Sequence, residues 1–284
     1  MDTSWMDRQP AQPAVELETG KAHPARLYDY FLGGKTNYPA DRAAAEAMLT
    51  GGLPTARRDA RASRDFMIRA ATYMVDQGVR QFLDIGTGIP TSPNLHEVAQ
   101  SRSPESRVVY TDNDPIVLAH SRALHTSSPE GRAVYLPADA EDPDTILGSE
   151  ALRDTLDLSR PVGLTLLLLL HWLPADAGSR LVRRLMNELA PGSHLVVSYL
   201  ARDLFDNEGD AAALEGTFAN GSTNKLQGAT RPEVEALFDG LEMVEPGLVP
   251  TNQWRPTLVP VQVGDPALAA KGVVPAWSGI GVKR

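Results

Sequence analysis

Apolar residues recur at helical spacing in the first quarter of the chain. Ala62, Phe66, Ala70 and Tyr73 lie four, four and three apart, on one face of a helix. Helices are therefore expected across residues 24–77, punctuated at Gly33-Gly34 and at Gly51-Gly52-Leu53-Pro54. From Arg80 the texture changes, and short apolar runs alternate with helical patterns. Strands are expected at Gln81–Ile85, Arg107–Thr111, Ala133–Leu136, Val162–Leu170 and Ser193–Leu200, with two late ones at Leu241–Leu248 and Trp277–Val282. The run from Val162 does not alternate, which marks a strand buried on both faces. Between the strands, helices are expected over Pro93–Gln100, from Asp114 with Pro115 at its first turn, within Asp144–Leu156 and through Leu181, Leu185 and Leu189. Thr230 and Glu233 form a capping-box pattern before Val234, Leu237 and Phe238. Strands alternating with helices imply a parallel sheet covered on both faces, with right-handed crossovers.

Composition narrows the class. The 284 residues carry 27 Lys+Arg against 36 Asp+Glu, a net charge of −9, which argues against a protein that coats nucleic acid. The chain has no cysteine, so disulfides and thiolate metal sites are excluded. Its longest apolar stretch is far short of the ~20 residues of a membrane span, and its N-terminus lacks the pattern of a signal peptide. A cytoplasmic protein is expected. Residues 1–23, with Pro10, Pro13 and few large apolar side chains, are expected to be an unstructured leader. Residues 24–79 would then be a helical cap and 80–284 the ligand-binding domain.

In such sheets, ligands bind beyond the carboxyl ends of the strands. The first strand ends in Asp84-Ile85-Gly86-Thr87-Gly88, the second in Thr111-Asp112-Asn113-Asp114 and the third in Pro137-Ala138-Asp139-Ala140. Gly86 and Gly88 allow positive φ and close approach of backbone to a ligand. Asp112 is positioned to accept hydrogen bonds from two ribose hydroxyls, and Asp139 from an exocyclic adenine amine. Three acidic strand tips around a glycine turn suit a nucleoside whose other end is cationic. They suit a pyrophosphate poorly, and the dinucleotide pattern G-x-G-x-x-G fails at Thr91.

The acid-x-Gly-x-Gly turn with two further acidic strand tips resembles the class I S-adenosylmethionine-dependent methyltransferases. The runs RLYDYFLGGKTNY from Arg26, FLDIGTGIPT, HEVAQ, VVYTDNDPIVLAHSRALH and PADAEDPDTIL resemble more closely a bacterial S-adenosyl methyltransferase family long carried as a domain of unknown function. That resemblance covers roughly residues 22–256 and the final strand. It implies a Rossmann-like α/β sheet of about seven strands, mostly parallel with an antiparallel last strand, behind an N-terminal helical cap. It further implies S-adenosyl-L-methionine as cofactor. Gly86, Thr87 and Gly88 would flank its methionine part, with Asp84 holding the amino end. Asp112 would bind ribose, and Asn113, Asp139 and Ala140 would face adenine. Two departures stand out. Pro90 occupies the place of a usual third glycine, and the Asn-Pro-Pro-Tyr motif of base amino-group methylation is replaced by His171-Trp172.

Other residues bear on the second half of the site. His171, at a strand end, is the candidate general base, or else a structural histidine beside the cofactor. Trp172, Tyr199 and Arg202 are its candidate neighbours around the acceptor. Tyr28 and Tyr38 either face a sulfonium or pack the cap, and residues 24–40 are expected to form a lid, with Gly33-Gly34-Lys35 approaching the ligand. Arg57, Arg61 and Arg64 form a helical stripe, either a receiver for an acidic substrate or RNA or, favoured because Asp59 and Asp65 interleave with it, a solvated face. The six histidines show no ligand spacing, so no metal is expected. The expected reaction is methyl transfer to oxygen or nitrogen of a small molecule. Open alternatives are a non-catalytic binder of S-adenosylmethionine or another adenosine ligand, a nicotinamide-dependent oxidoreductase, and methylation of RNA or protein. Oligomeric state is left open.

Overall fold

Buried runs flanked by helices on both sides become the centre of a sheet. The computed structural model describes residues 19–51, 53–117, 127–174, 176–205, 226–258 and 272–284. Its central strand is β1 (Gln81–Ile85), buried along its whole length. On one side β1 pairs in parallel with β2 (Arg107–Asp112), which pairs with β3 (Arg132–Pro137). On the other it pairs in parallel with β4 (Gly163–Leu167), followed by β5 (His194–Leu200). Beyond them come β6 (Leu241–Met243), β7 (Val249–Pro250) and β8 (Ala276–Lys283). The order is β3-β2-β1-β4-β5-β8-β6, with β7 also on β8. The last strand runs antiparallel to each of its partners, as expected. The direction of winding reverses between β1 and β4, which opens a crevice at their carboxyl ends.

Two strand predictions change in detail. The eighth strand arises because 241–248 does not run through; it gives β6 and a turn at Gly247 (φ 81°) before β7. The run expected as Val162–Leu170 stops at Leu167. Leu168 adopts φ 51°, held by its N–H donating to the carbonyl and hydroxyl of Ser198 at 3.0 Å each. A 3-10 turn, Leu170–Trp172, follows. An unbroken apolar run carries no period, so this bend leaves no mark in the sequence.

The helices are α1 (Pro24–Leu32), α2 (Pro39–Thr50), α3 (Ala56–Asp76), α4 (Leu95–Arg102), α5 (Pro143–Gly148), α6 (Glu150–Arg153), α7 (Ala177–Glu188) and α8 (Arg231–Glu235). The helix expected within 144–156 is two, separated at Ser149. Helix α4 begins two residues late because Asn94 and Glu97 close a reciprocal cap, and Thr230 and Glu233 do the same for α8. Of the helix expected after Asp114, Leu118, Ser121 and Leu124 lie outside the described residues.

Alternation along β1 divides the core. Leu83 and Ile85 join Val109, Leu164, Leu166, Leu181 and Leu185 on one face. Phe82 joins Phe66, Met74, Val108, Tyr110 and Trp254 on the other. A third cluster, with Leu27, Phe31, Met48, Leu53, Ala56, Ala60 and Leu226, forms apart from both. Helix α3 spans two of them: Ala56 and Ala60 belong to the third, Phe66 through Val75 to the second. At 1.5 Å per residue its 21 residues reach roughly 31 Å, enough to carry α1 and α2 over the strand ends.

Two buried carboxylates fold this cap. Asp41, fully buried, accepts from the N–H groups of Tyr38 (2.8 Å) and His23 (2.9 Å) and pairs with Arg26 at 3.3 Å. Asp29 accepts from the N–H of Thr36 and the amide of Asn37, both at 2.9 Å. Gly34 lies so close to the Asp29 carboxylate that a Cβ there would collide with it. The glycine pair thus serves the end of α1, with Gly33 as its left-handed cap, and neither glycine nor Lys35 reaches the cavity described below.

Candidate active site

The crevice at the carboxyl ends of β1, β2, β3 and β4 opens into a cavity of about 930 Å³, roofed by the cap. Its polar wall follows from backbone geometry. After β1, Gly86 (φ 69°) and Gly88 (φ 67°) turn the chain in a conformation that side chains resist. A Cβ on Gly86 would stand 2.5 Å from Leu169 Cδ1. The turn aims the Gly88 N–H at Asp112 Oδ2, 2.8 Å away, while Asp112 Oδ1 accepts from the N–H of Asp114 at 2.9 Å. Both oxygens are oriented by backbone, yet each keeps a lone pair for a ligand hydroxyl. Burial pushes the Asp112 carboxyl above the usual range, opposed by those two N–H groups.

Asp84, in β1, is as buried as Asp112 in the same wall. Burial raises its pKa; hydrogen bonds from the hydroxyls of Thr165 and Thr87 and the charge of Arg64 oppose the rise. Arg64 reaches in from α3, donating to the carbonyls of Thr91 and Pro93, the latter at 2.9 Å. Its Nε is buried without a hydrogen-bond partner. The stripe expected as a solvated face is therefore divided. Arg57 pairs with Glu46 at the surface, whereas Arg64 forms part of the cavity wall. One-turn spacing could not show this, because which flank of α3 meets β1 is a tertiary fact.

At the rim, Asn113 donates to Asp139 Oδ2 at 3.1 Å, and Asp139 Oδ1 accepts from the N–H of Glu141 at 2.9 Å. Ala138 and Ala140 line the cavity beside them. His23, placed by sequence in the leader, is instead built into the site. It caps α1, lines the cavity and stands 3.2 Å from Asp114 Oδ2.

The structure thus gathers Asp84, Gly86, Thr87, Gly88, Asp112, Asn113, Asp139, Ala140, Tyr28 and His171 around one cavity. Tyr38 is not among them: it caps α2, with the Arg26 guanidinium 5.5 Å from its ring centre. Tyr199 and Arg202 also lie outside, while Trp172 lines the wall. The Tyr28 hydroxyl donates to the carbonyl of Ala60 at 3.0 Å, and burial pushes it up to about 12, against the charge of Arg64. His171 is buried, its Nδ1 has no partner, and burial lowers it to about 3, so the ring is neutral. Next to it, Leu168 keeps a strained left-handed backbone on the cavity wall. Arg64, His23 and Asp114 are not among the site residues the sequence assigns, although Asp114 stands two residues past β2 in the Asp112-Asn113-Asp114 strand tip.

Chemically, this wall offers a buried carboxylate beside a cation at one end, a backbone-oriented carboxylate in the middle and an amide–carboxylate pair at the rim. Among the described residues, no group of three His, Asp or Glu is placed to hold a metal ion, and no helix is long and apolar enough to cross a membrane.

Comparison with known proteins bears on the same arrangement. A protein of the DUF574 family from Streptomyces avermitilis MA-4680 shares 42% identity over 95% of this chain and 100% of its own, with a TM-score of 0.86. A provisional methyltransferase from Thermobifida fusca YX shares 36% over 97% of this chain and 100% of its own, with a TM-score of 0.83. No curated protein matches the chain. The profile of one protein family, S-adenosyl methyltransferase, aligns with residues 10–284. With a strand-end cavity of this chemistry and a family match across nearly the whole chain, the protein belongs to the S-adenosyl methyltransferases and is an S-adenosylmethionine-dependent enzyme.

Proposed function

We propose that the chain binds S-adenosyl-L-methionine along the tips of β1, β2 and β3 and methylates an oxygen or nitrogen of a small molecule. The observation that carries the reading is the order of groups along the polar wall. The charges of Arg64 and Asp84 complement the carboxylate and ammonium of an amino-acid end. Asp112 complements ribose hydroxyls. Asn113, Asp139 and Ala140 complement adenine at the rim, and the open space over Gly88 admits the chain between them. A nicotinamide dinucleotide would instead set a pyrophosphate beside Asp84 and Asp112, where like charges repel.

When bound, the cofactor supplies a methyl group made electrophilic by a sulfonium. The remaining work is alignment and exclusion of water. Residues 24–79, the cap, close the cavity from above and contribute Tyr28, whose un-ionised ring faces it. His171 lines the cavity as a neutral ring beside the acceptor's place, and the proton of the methylated oxygen or nitrogen would leave to solvent. The low basicity of the buried ring suits orientation better than proton abstraction.

The test has two stages. Calorimetry with S-adenosylhomocysteine should give one site per chain, weakened in Asp112→Ala. Purified enzyme given methyl-labelled donor and a metabolite extract should then put label into the small-molecule fraction. Absence of nucleoside binding, or label confined to acid-insoluble RNA or protein, refutes the proposal.

A further inference from the structure

The cavity has a second wall of opposite character. Leu27, Phe31, Met48, Leu53, Leu200 and Leu226 line it, contributed by the cap, the end of β5 and the segment before α8. Of the charged groups these elements bring to the cavity, Arg64 stands on the polar wall and two others are engaged. Arg26 is paired with Asp41, and Asp59 accepts from Thr55 at 2.7 Å and Arg58 at 2.8 Å. Trp172 packs against this apolar cluster, and the buried ring of its neighbour His171 lines the cavity beside it. A cavity of about 930 Å³ lies at the upper end of the ~300–1,000 Å³ that holds a single drug-sized ligand, so a nucleoside leaves room for a second molecule.

We infer that the methyl acceptor is an uncharged, predominantly apolar small molecule, seated against the cap's aliphatic wall. This rests on the methyltransferase reading above and names the class of its acceptor. A carboxylate or phosphate on that wall would lose its hydration and meet no free counter-charge, while an apolar skeleton gains from every aliphatic contact.

The experiment uses two fluorescent probes with one skeleton. N-phenyl-1-naphthylamine is neutral with one N–H; 1-anilinonaphthalene-8-sulfonate adds an anion. With the full chain saturated by S-adenosylhomocysteine, the neutral probe should bind saturably at one site, at least tenfold tighter than the sulfonate. Ala60→Phe, which fills the apolar wall, should weaken the neutral probe tenfold or more and leave calorimetric affinity for S-adenosylhomocysteine within about twofold. If circular dichroism shows that variant unfolded, Met48→Gln takes its place. Equal or tighter binding of the sulfonate, displacement of the neutral probe by S-adenosylhomocysteine, or indifference to the wall substitution overturns the inference. Loss of S-adenosylhomocysteine binding with the neutral probe retained would instead strike the cofactor reading and leave the apolar site standing.

Discussion

On one side of the cavity, Asp112 is held by two backbone N–H groups and Asp84 by two hydroxyls. On the other, Leu27, Phe31, Met48 and Leu53 are held by one another and by a cap folded around Asp41. The first wall is covalently continuous with the sheet: Asp84 and Asp112 lie at the ends of β1 and β2 and Asp139 two residues past β3, so sheet register fixes their spacing. The second wall is joined to the sheet mainly through α3. Hydrogen bonds are directional and fix atoms; apolar packing fixes volume and tolerates change of shape. The proposed function sets an unvarying cofactor on the first kind of wall and an acceptor recognised by shape on the second.

The comparison can be broken in four places. The largest effect is expected at Gly86→Val. Positive φ and Leu169 leave no room for the side chain, so S-adenosylhomocysteine binding should vanish in calorimetry. Asp41→Ala attacks the other wall. It strands buried Arg26 and two N–H groups, and should cost about 3–5 kcal/mol of stability in urea unfolding. If it also abolished nucleoside binding as fully as Gly86→Val, the two walls would not be separable. Asp112→Ala should weaken S-adenosylhomocysteine by about 1.5–3 kcal/mol, the worth of hydrogen bonds to a charged group.

The smallest effect is a pH dependence. His171 is depressed to about 3 when folded and returns to about 6.5 when unfolded. The unfolded chain therefore gains a proton first as pH falls, so stability from this group is intact above 6.5 and lost between 6.5 and 3. The slope reaches at most about 1.4 kcal/mol per pH unit. Between pH 6.5 and 5.5, Tm should fall less in His171→Gln than in the parent. Parallel Tm profiles would show that the ring is not buried as described.

Legibility differed between the walls for the same physical reason. Asp84, Asp112 and Asp139 stand at the ends of apolar runs, and a residue just past a parallel strand faces the crevice whatever else the fold does. Arg64 reads as solvated because its neighbours on α3, Asp59 and Asp65, make the helix look exposed, and only tertiary packing turns Arg64 toward the cavity and Arg69 to the carbonyls of Thr251 and Trp254. Tyr38 seemed to belong with Tyr28, ten residues away. Yet Asp41 draws its backbone into the start of α2, which leaves it outside the cavity.

By itself the sequence determined the alternation of strand and helix, the glycine turn and the acidic strand tips, because these depend on local period and on conformations few residues accept. Tertiary structure alone decided where β4 breaks at Leu168, which arginine enters the cavity and which apolar residues of the cap face a void and not each other. Those outcomes depend on contacts between segments tens of residues apart, and an apolar side chain carries the same local signal whether it fills a core or lines a pocket.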